Sequence, residues 1–316
     1  MNTKPLVSIG LPTFNRARTL KRAIESVLGQ TYPNIELVIS DNASTDDTQL
    51  LCTEFKKRDS RVRYMRRATN EGPGANFHAV LAHASGEFFM WLGDDDWLDS
   101  SYVSRCLEKL IENPDYSLVC GEAKYFSHGQ LLPEGETIDL PQDPAAERVL
   151  AYFEKVNHNG TFYGLMRPAQ LHLALPPNVL GGDWLLVAAI AFMGKIGTIK
   201  DISVNRSWEG ASRTLETLIA SLGISPIHAR APKLSIAISA FKDIAWKSKA
   251  YGSLGRAARL SLARKVLSVF YKKYFRPDWR AIFYPFWARP ILFAISVRDR
   301  VRKKIRRGFS KIKGLL

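Results

Sequence analysis

Between residues 6 and 92, short apolar runs alternate with stretches of helical periodicity, and no other feature narrows the fold as far. Residues 6–11 form an apolar run that stops at Pro12, after which Leu20, Ile24, Val27 and Leu28 recur at helical spacing up to 30–33. Residues 35–40 read as a buried strand. Ser44-Thr45-Asp46-Asp47 then supplies an N-cap and first-turn acids for a helix carrying Leu50, Leu51, Glu54 and Phe55. Residues 62–65, 74–84 and 87–92 continue as strand, helix and strand. Three strand–helix repeats with short connections predict an α/β fold, a mostly parallel sheet with helices on both faces. Right-handed crossovers place the strand C-termini along one edge, where open α/β sheets bind ligands.

Past residue 100 the pattern loosens. A helix is expected over 102–111, a strand over 117–120, and an exposed loop over 129–144, which is rich in Gly, Pro and acids. Residues 161–166 look strand-like, 184–193 form an apolar helix, and 196–204 a further strand. From Leu215 the reading is mainly helical, with Ala263, Val266, Leu267, Phe270 and Tyr274 on one face. The expected division is a first domain over 1–213 and a basic, amphipathic helical appendage over 214–316.

Charge separates the same two regions. Of the formal net charge of +15, residues 230–316 hold 23 Lys/Arg against three acids, while 1–229 hold 22 basic and 27 acidic residues. The appendage therefore seeks an anionic partner, and the front does not. Its cations alternate with Phe275, Trp279, Phe283, Tyr284, Phe286, Trp287 and Phe293, a mixture suited to an anionic membrane surface. Residues 281–316 are the segment expected to insert. Nucleic acid phosphates are the competing partner, with stacking on the same aromatics; the acid-bearing front domain makes nucleic acid the less favoured of the two. No run of 18 apolar residues occurs, and residues 1–5 lead straight into the first strand, so neither a spanning helix nor a signal peptide is expected. Cys52, Cys106 and Cys120 are too few and scattered for a disulfide framework or a Cys-based metal site. The expected location is cytoplasmic, peripheral on the inner face of the cytoplasmic membrane.

The chemistry concentrates in carboxylates. Asp94, Asp95 and Asp96 follow the fourth predicted strand directly, and three adjacent carboxylates repel one another at a cost in stability. Read alone, they are a solvated turn that caps the next helix. On the ligand edge of a sheet they are hard oxygen ligands for Mn2+ or Mg2+ bridging a diphosphate, a cation that offsets charge on a departing nucleotide. Pro12-Thr13-Phe14-Asn15 and Asp41-Asn42-Ala43-Ser44 end the first two strands and bring polar side chains to the same edge. No Gly-x-Gly-x-x-Gly or Walker-type loop is present. Asp183, in Gly181-Gly182-Asp183-Trp184, is the candidate general base for an acceptor hydroxyl, with a helix N-cap as its alternative. The six histidines have no metal-ligand spacing.

In order and spacing, these segments resemble the family 2 glycosyltransferases, which have the GT-A fold. The resemblance is carried by Val7-Ser8-Ile9 through Arg16, Gln30-Thr31-Tyr32-Pro33, Glu36 through Asp46, Asn70-Glu71-Gly72 with Asn76, Ala84-Ser85-Gly86-Glu87 and the Asp triplet. It is dense over 6–120 and thins towards 212. It implies an inverting transferase with a nucleotide-diphosphate sugar as donor, a UDP-sugar first among the candidates, and a glycan or lipid-linked acceptor. Pro12, Thr13, Asn15, Asp41, Asn42, Asn76, Asp94 and Arg206 would bind the donor. Asp95 would be the principal metal ligand with Asp96 assisting, and Asp183 the base. Three departures stand out. Gly93 sits where many relatives carry an acid, Ala75 where an Arg often precedes Asn76, and Trp208 where the family's Tyr-Arg-x-His segment has His. A nucleotidyltransferase is the competing enzyme reading, though residues 11–18 lack its Gly-rich loop. A nucleic-acid-binding protein with a degenerate front domain is the non-enzymatic one.

Overall fold

The computed structural model describes residues 4–176, 178–208, 210 and 214–275. The expected insertion segment 281–316 lies outside them. The strand–helix alternation is realised as β1 (Val7–Thr13), α1 (Ala17–Leu28), β2 (Ile35–Asp41), α2 (Thr48–Arg58), β3 (Val62–Arg66), α3 (Gly72–Ala82) and β4 (Phe88–Trp91). Every residue of β1 and β2 is buried, as strands covered on both faces require. In α1 the buried residues are Leu20, Ala23, Ile24 and Val27, the stripe its periodicity predicts. After β5 (Trp97–Leu98) come α4 (Tyr102–Glu112), β6 (Tyr116–Ser127), β7 (Gln130–Glu136), α5 (Ala145–Lys155) and β8 (Leu165–Met166). The order then runs α6 (Pro168–Ala174), α7 (Gly182–Met193), β9 (Lys195–Ser207), α8 (Leu215–Leu222), α9 (Ile227–Arg230), α10 (Pro232–Lys242) and α11 (Arg256–Phe270).

Among the described residues one sheet has the order β3-β2-β1-β4-β8-β6-β9-β5, with β7 paired on β6. The half from β3 to β4 is parallel throughout, and in it Thr13 pairs with Asp41, so both loops leave the sheet side by side. β4 and β6 each pair antiparallel with the two-residue β8, and β6 and β9 run parallel.

Two expectations change. The segment 129–144 is not a free loop: β7 pairs antiparallel with β6, while Ile138 and Leu140 are buried and Leu140 bridges Ile196. Its Gly and Pro content masks two apolar anchors that the sheet covers. The segment 161–166 is a 3-10 turn over Gly160–Tyr163 followed by β8, because Asn159 takes a left-handed φ of 52° and turns the chain.

The chain divides into Met1–Phe270 and Tyr271–Leu316. That grouping differs from the expected division after residue 213. Ile236 of α10 packs on Gly181, and Phe270 of α11 meets Phe153 of α5 at 5.3 Å, so these helices share the core of the first unit. In the second unit, Tyr271–Phe275 is a π-helical turn. No helix among the described residues is long and apolar enough to cross a membrane. The three cysteines are free and buried.

A buried carboxyl in the helical layer makes stability depend on pH. Asp243 is 3% exposed, and burial pushes it up to about 7 against the pull of Arg259 and Lys247. The folded chain keeps a proton that the unfolded chain, with Asp near 3.9, releases earlier. Stability from this group is therefore present below about pH 4 and is lost as pH rises towards 7, by about 4 kcal/mol at most. Asp243→Asn should become more stable than the parent as pH rises, the gap being larger at pH 8 than at pH 5 by urea denaturation. An equal gap at both pH values contradicts this.

Candidate active site

The acid turn follows β4 directly. Arg22 backs it from α1, donating to the Asp95 carbonyl at 3.0 Å while its guanidinium lies 3.5 Å over the Trp97 ring. The three carboxylates have separate roles. Asp94 Oδ1 lies 3.8 Å from Arg16 Nε. Burial and the neighbouring Asp95 push Asp94 up to about 7, against Arg16, Thr13 and the Phe14 N–H. Asp95 rises to about 6 through burial and Asp96, against Arg16 and Arg206. Its Oδ2 is buried with no hydrogen-bond partner. Asp96 turns inward instead: Oδ1 accepts the Ser207 N–H at 2.9 Å, and Oδ2 lies 3.6 Å from Arg206 Nε. Burial raises Asp96, against Arg206 and hydrogen bonds from Ser207 and Tyr163.

Gly93 now has a reason. A Cβ there would stand 2.7 Å from Asp96 Oδ2 and 3.1 Å from the Tyr163 hydroxyl. An acid at position 93 would collide with the group that anchors Arg206.

Arg206, near the end of β9, is the positive centre of the site. Its Nη1 donates to the His158 carbonyl at 3.0 Å and to the Tyr125 hydroxyl at 3.2 Å, and its guanidinium lies 4.8 Å from the Tyr163 ring. Burial works against its charge, but Tyr163, Asp96 and Tyr125 hold its pKa above the ordinary arginine value. Replacing Arg206 with Met leaves Asp96, whose side chain is 3% exposed, without its countercharge. Breaking such a pair costs about 3–5 kcal/mol. Thermal and urea unfolding should show that loss, and a change below about 1 kcal/mol would contradict the role.

Through His158 the centre reaches Asp183. Asn159 is 1% exposed; its Oδ1 accepts from Tyr152 at 2.8 Å, and its Nδ2 donates to Asp183 Oδ2 at 2.9 Å. Glu136 holds this loop in place. Its Oε1 accepts the Asn157 and His158 N–H groups, and its Oε2 the Gly160 N–H at 2.7 Å. Gly181, with φ 76°, caps α7, so Asp183 lies in the first turn rather than at the cap, where the helix dipole favours a carboxylate. Asp183 is exposed to solvent, with Asn159 hydrogen-bonded to it and Arg206 acting on it. Loss of hydration raises its pKa, against Asn159 and Arg206.

The polar residues at the ends of β1 and β2 lie side by side, and most of their polar groups are occupied. Asp41 is fully buried, with Oδ1 accepting the Ser44 N–H and Oδ2 the Tyr64 hydroxyl. Asn42 ties Asn70, Glu71 and Gly72 together. Asn76 donates to the carbonyls of Thr13 and Ser40, clamping the ends of β1 and β2. Asn15 accepts the Thr45 N–H at 2.8 Å and donates its own N–H to Ser44. Loops leaving adjacent parallel strands satisfy their own backbone in this way, while Asn76 Oδ1 and Thr13 Oγ1 stay buried without a hydrogen-bond partner. Pro12 and Thr13 are buried at the end of β1, and Phe14 beside them is 40% exposed. Trp208 meets Tyr125 and His158 edge-on at 5.7 and 5.5 Å, making an aromatic wall where a His ligand was in question.

Among the described residues no three His, Cys, Asp or Glu side chains converge as a metal cage. A Mg2+- or Mn2+-type ion does not need one, since it commonly binds one or two carboxylates and completes its shell with phosphates and water. The unpartnered Asp95 Oδ2, facing a Gly210 whose Cβ would come within 2.7 Å, fits that arrangement. Asp96 does not, because Ser207 and Arg206 engage it. Sequence reasoning did not find Asn159, Tyr163, Glu136, Arg16 or Arg22. Asn159-Gly160 is a turn signal, and that was the only local clue.

A parallel half-sheet covered on both faces, with an acid turn after β4 facing the half-buried Arg206 of β9, has the arrangement of a GT-A fold. The Glycosyl transferase family 2 model matches residues 8–169, and the chain belongs to that family. GalNAc(5)-diNAcBac-PP-undecaprenol beta-1,3-glucosyltransferase of Campylobacter jejuni subsp. jejuni is 32% identical over 168 residues, spanning 53% of this chain and 53% of that protein. The match thus covers about half of that relative. S. aureus TarS in complex with UDP-GlcNAc has a similar fold at TM-score 0.61 and 16% identity, over 90% of this chain and 77% of that one. Mannosyltransferase PcManGT from Pyrobaculum calidifontis, in complex with GDP-Man and Mn2+, aligns at TM-score 0.54 and 17% identity, over 94% and 81% of the two chains.

Proposed function

We propose that the chain is an inverting glycosyltransferase moving a sugar from a nucleotide-diphosphate donor, a UDP-sugar first, to a hydroxyl of a lipid-linked or surface-polysaccharide acceptor. The observation that carries the reading is the continuous link Asp96–Arg206–His158–Asn159–Asp183, which joins the acid turn to the base. The family match, the undecaprenol-linked substrate named for the Campylobacter relative and the UDP-GlcNAc complex of TarS support it.

Asp183 has Oδ2 held by Asn159, which orients the carboxylate to take the acceptor proton. The acceptor oxygen bonds to the anomeric carbon as the bond to the diphosphate breaks, and the proton ends on Asp183. Arg206 supplies fixed positive charge near the departing diphosphate, already oriented by Tyr125 and the His158 carbonyl. Asp95 is the carboxylate that would hold the divalent cation, with Asp94 beside it; such an ion offsets charge on the leaving nucleotide. The aromatic wall of Trp208, Tyr125 and His158 borders this centre.

A panel of nucleotide sugars, each with and without Mn2+, tests the reading. The true donor should raise Tm by mass action and be slowly hydrolysed, releasing the nucleoside diphosphate. If no nucleotide sugar shifts Tm and none releases a diphosphate, the reading fails.

A further inference from the structure

α10 is apolar on two sides. Ile236, Ala237 and Ala240 are buried against the body, whereas Leu234 and Ile238, one turn apart, stand 46% and 43% exposed. Ile227 of α9, 62% exposed, and Trp246 of the π-helical turn Asp243–Lys247, 56% exposed, extend the same stretch of chain. Elsewhere in the first unit large exposed apolar residues such as Leu50, Ile111 and Leu173 occur singly. A helix that needs one face for the core gains nothing from a second in water, so concentrated apolar exposure marks an interaction surface.

Charge identifies the partner. Residues 227–249 hold five Lys/Arg and one acid, Asp243, which is buried. Within this segment the exposed charges are all positive: Arg230, Lys242, Lys247 and Lys249. Beside them a cleft of about 620 Å³, its open mouth included, is lined by Leu185 and Ile238 together with His228, Lys242, Lys247 and the buried Asp243. Bulky apolar residues, a Trp among them, interspersed with cations match the boundary between acyl chains and anionic headgroups. At 11 residues α10 is too short to span a bilayer and suits lying in its surface.

We propose that the face formed by α9, α10 and the π-helical turn after it docks on an anionic phospholipid bilayer. The buried side of α10 carries Ile236, which packs on Gly181, two residues before Asp183. Docking the opposite side would hold the Asp183 turn one helix diameter, about 10 Å, from the bilayer surface, within reach of an acceptor hydroxyl on a lipid-linked glycan. The proposal depends on the transferase reading for its purpose alone. Its test reads lipid contact, while donor binding is read separately on the same sample.

The full chain carrying Ile238→Cys is labelled with an environment-sensitive fluorophore; the three native cysteines are buried. With vesicles of phosphatidylcholine plus phosphatidylglycerol, emission should shift to the blue and rise severalfold. Phosphatidylcholine alone should do much less, because each cation at the surface is worth roughly fivefold in partitioning. A label at Leu50→Cys on α2 should not respond. A variant with Leu234, Ile238 and Trp246 all changed to Gln should bind anionic vesicles on the order of tenfold more weakly, with donor stabilisation intact. The proposal is overturned if the chain binds vesicles while the Ile238→Cys label stays in a water-like environment, since the terminal segment then suffices. It is also overturned if the chain does not bind vesicles, or if the label responds to protein concentration alone, which would make the face a contact between copies of this chain.

Discussion

Asp183→Asn should lower the catalytic rate by roughly two to four orders of magnitude, the usual worth of a general base, with donor affinity unchanged. Asn keeps the shape and can still meet Asn159, but it cannot accept a proton. The same carboxylate determines the pH profile. Because the surrounding protein displaces part of the hydration of this solvent-exposed carboxylate and holds its pKa above the ordinary range, the acid limb of the rate should lie at higher pH than a free Asp would give. Asn159→Ala removes a hydrogen bond that stabilises the charged form, so it should move that limb higher still while leaving donor affinity in place. A variant of Asp183 that lost stability with little change in rate would reduce the residue to a helix-start acid.

Asp95→Ala should remove most turnover and most Mn2+-dependent nucleotide binding, while the fold persists. The fold is spared because Oδ2 has no partner in the protein and removing the group relieves repulsion with Asp96. Asp96→Ala should differ in kind. It takes away the acceptor of the Ser207 N–H and the partner of Arg206, and should cost stability before metal affinity. Calorimetric titration of Mn2+ with nucleotide, alongside thermal unfolding, separates the two variants. Full activity of the wild-type chain in EDTA would contradict the metal assignment.

Much of this was legible residue by residue. The parallel half-sheet follows from short apolar runs and helical stripes within about ten residues of one another, and the acid turn and Asp183 stand at element ends that turn chemistry marks. The region after 120 was less readable. Ile138 and Leu140 are buried by β9 and the surrounding core, and a two-residue strand such as β8 carries too little pattern to register.

Sequence alone determined where the polar residues sit along the chain, because strand and helix periods and turn preferences are local properties. Tertiary structure decided what each of them does. Asp95 and Asp96 are neighbours of like chemistry, yet one keeps an unpartnered oxygen and the other holds Ser207 and Arg206, more than a hundred residues away. Asp41 has the composition of a ligand-binding residue, yet its oxygens accept from Ser44 and Tyr64, whereas Asn76 spends its amide N–H groups on the carbonyls of Thr13 and Ser40 and keeps a buried Oδ1 without a partner. The second apolar face of α10 likewise became visible only once its first had been buried. A buried polar group must be satisfied by whatever the fold brings within reach, and that neighbour is set by long-range packing, which no local pattern encodes.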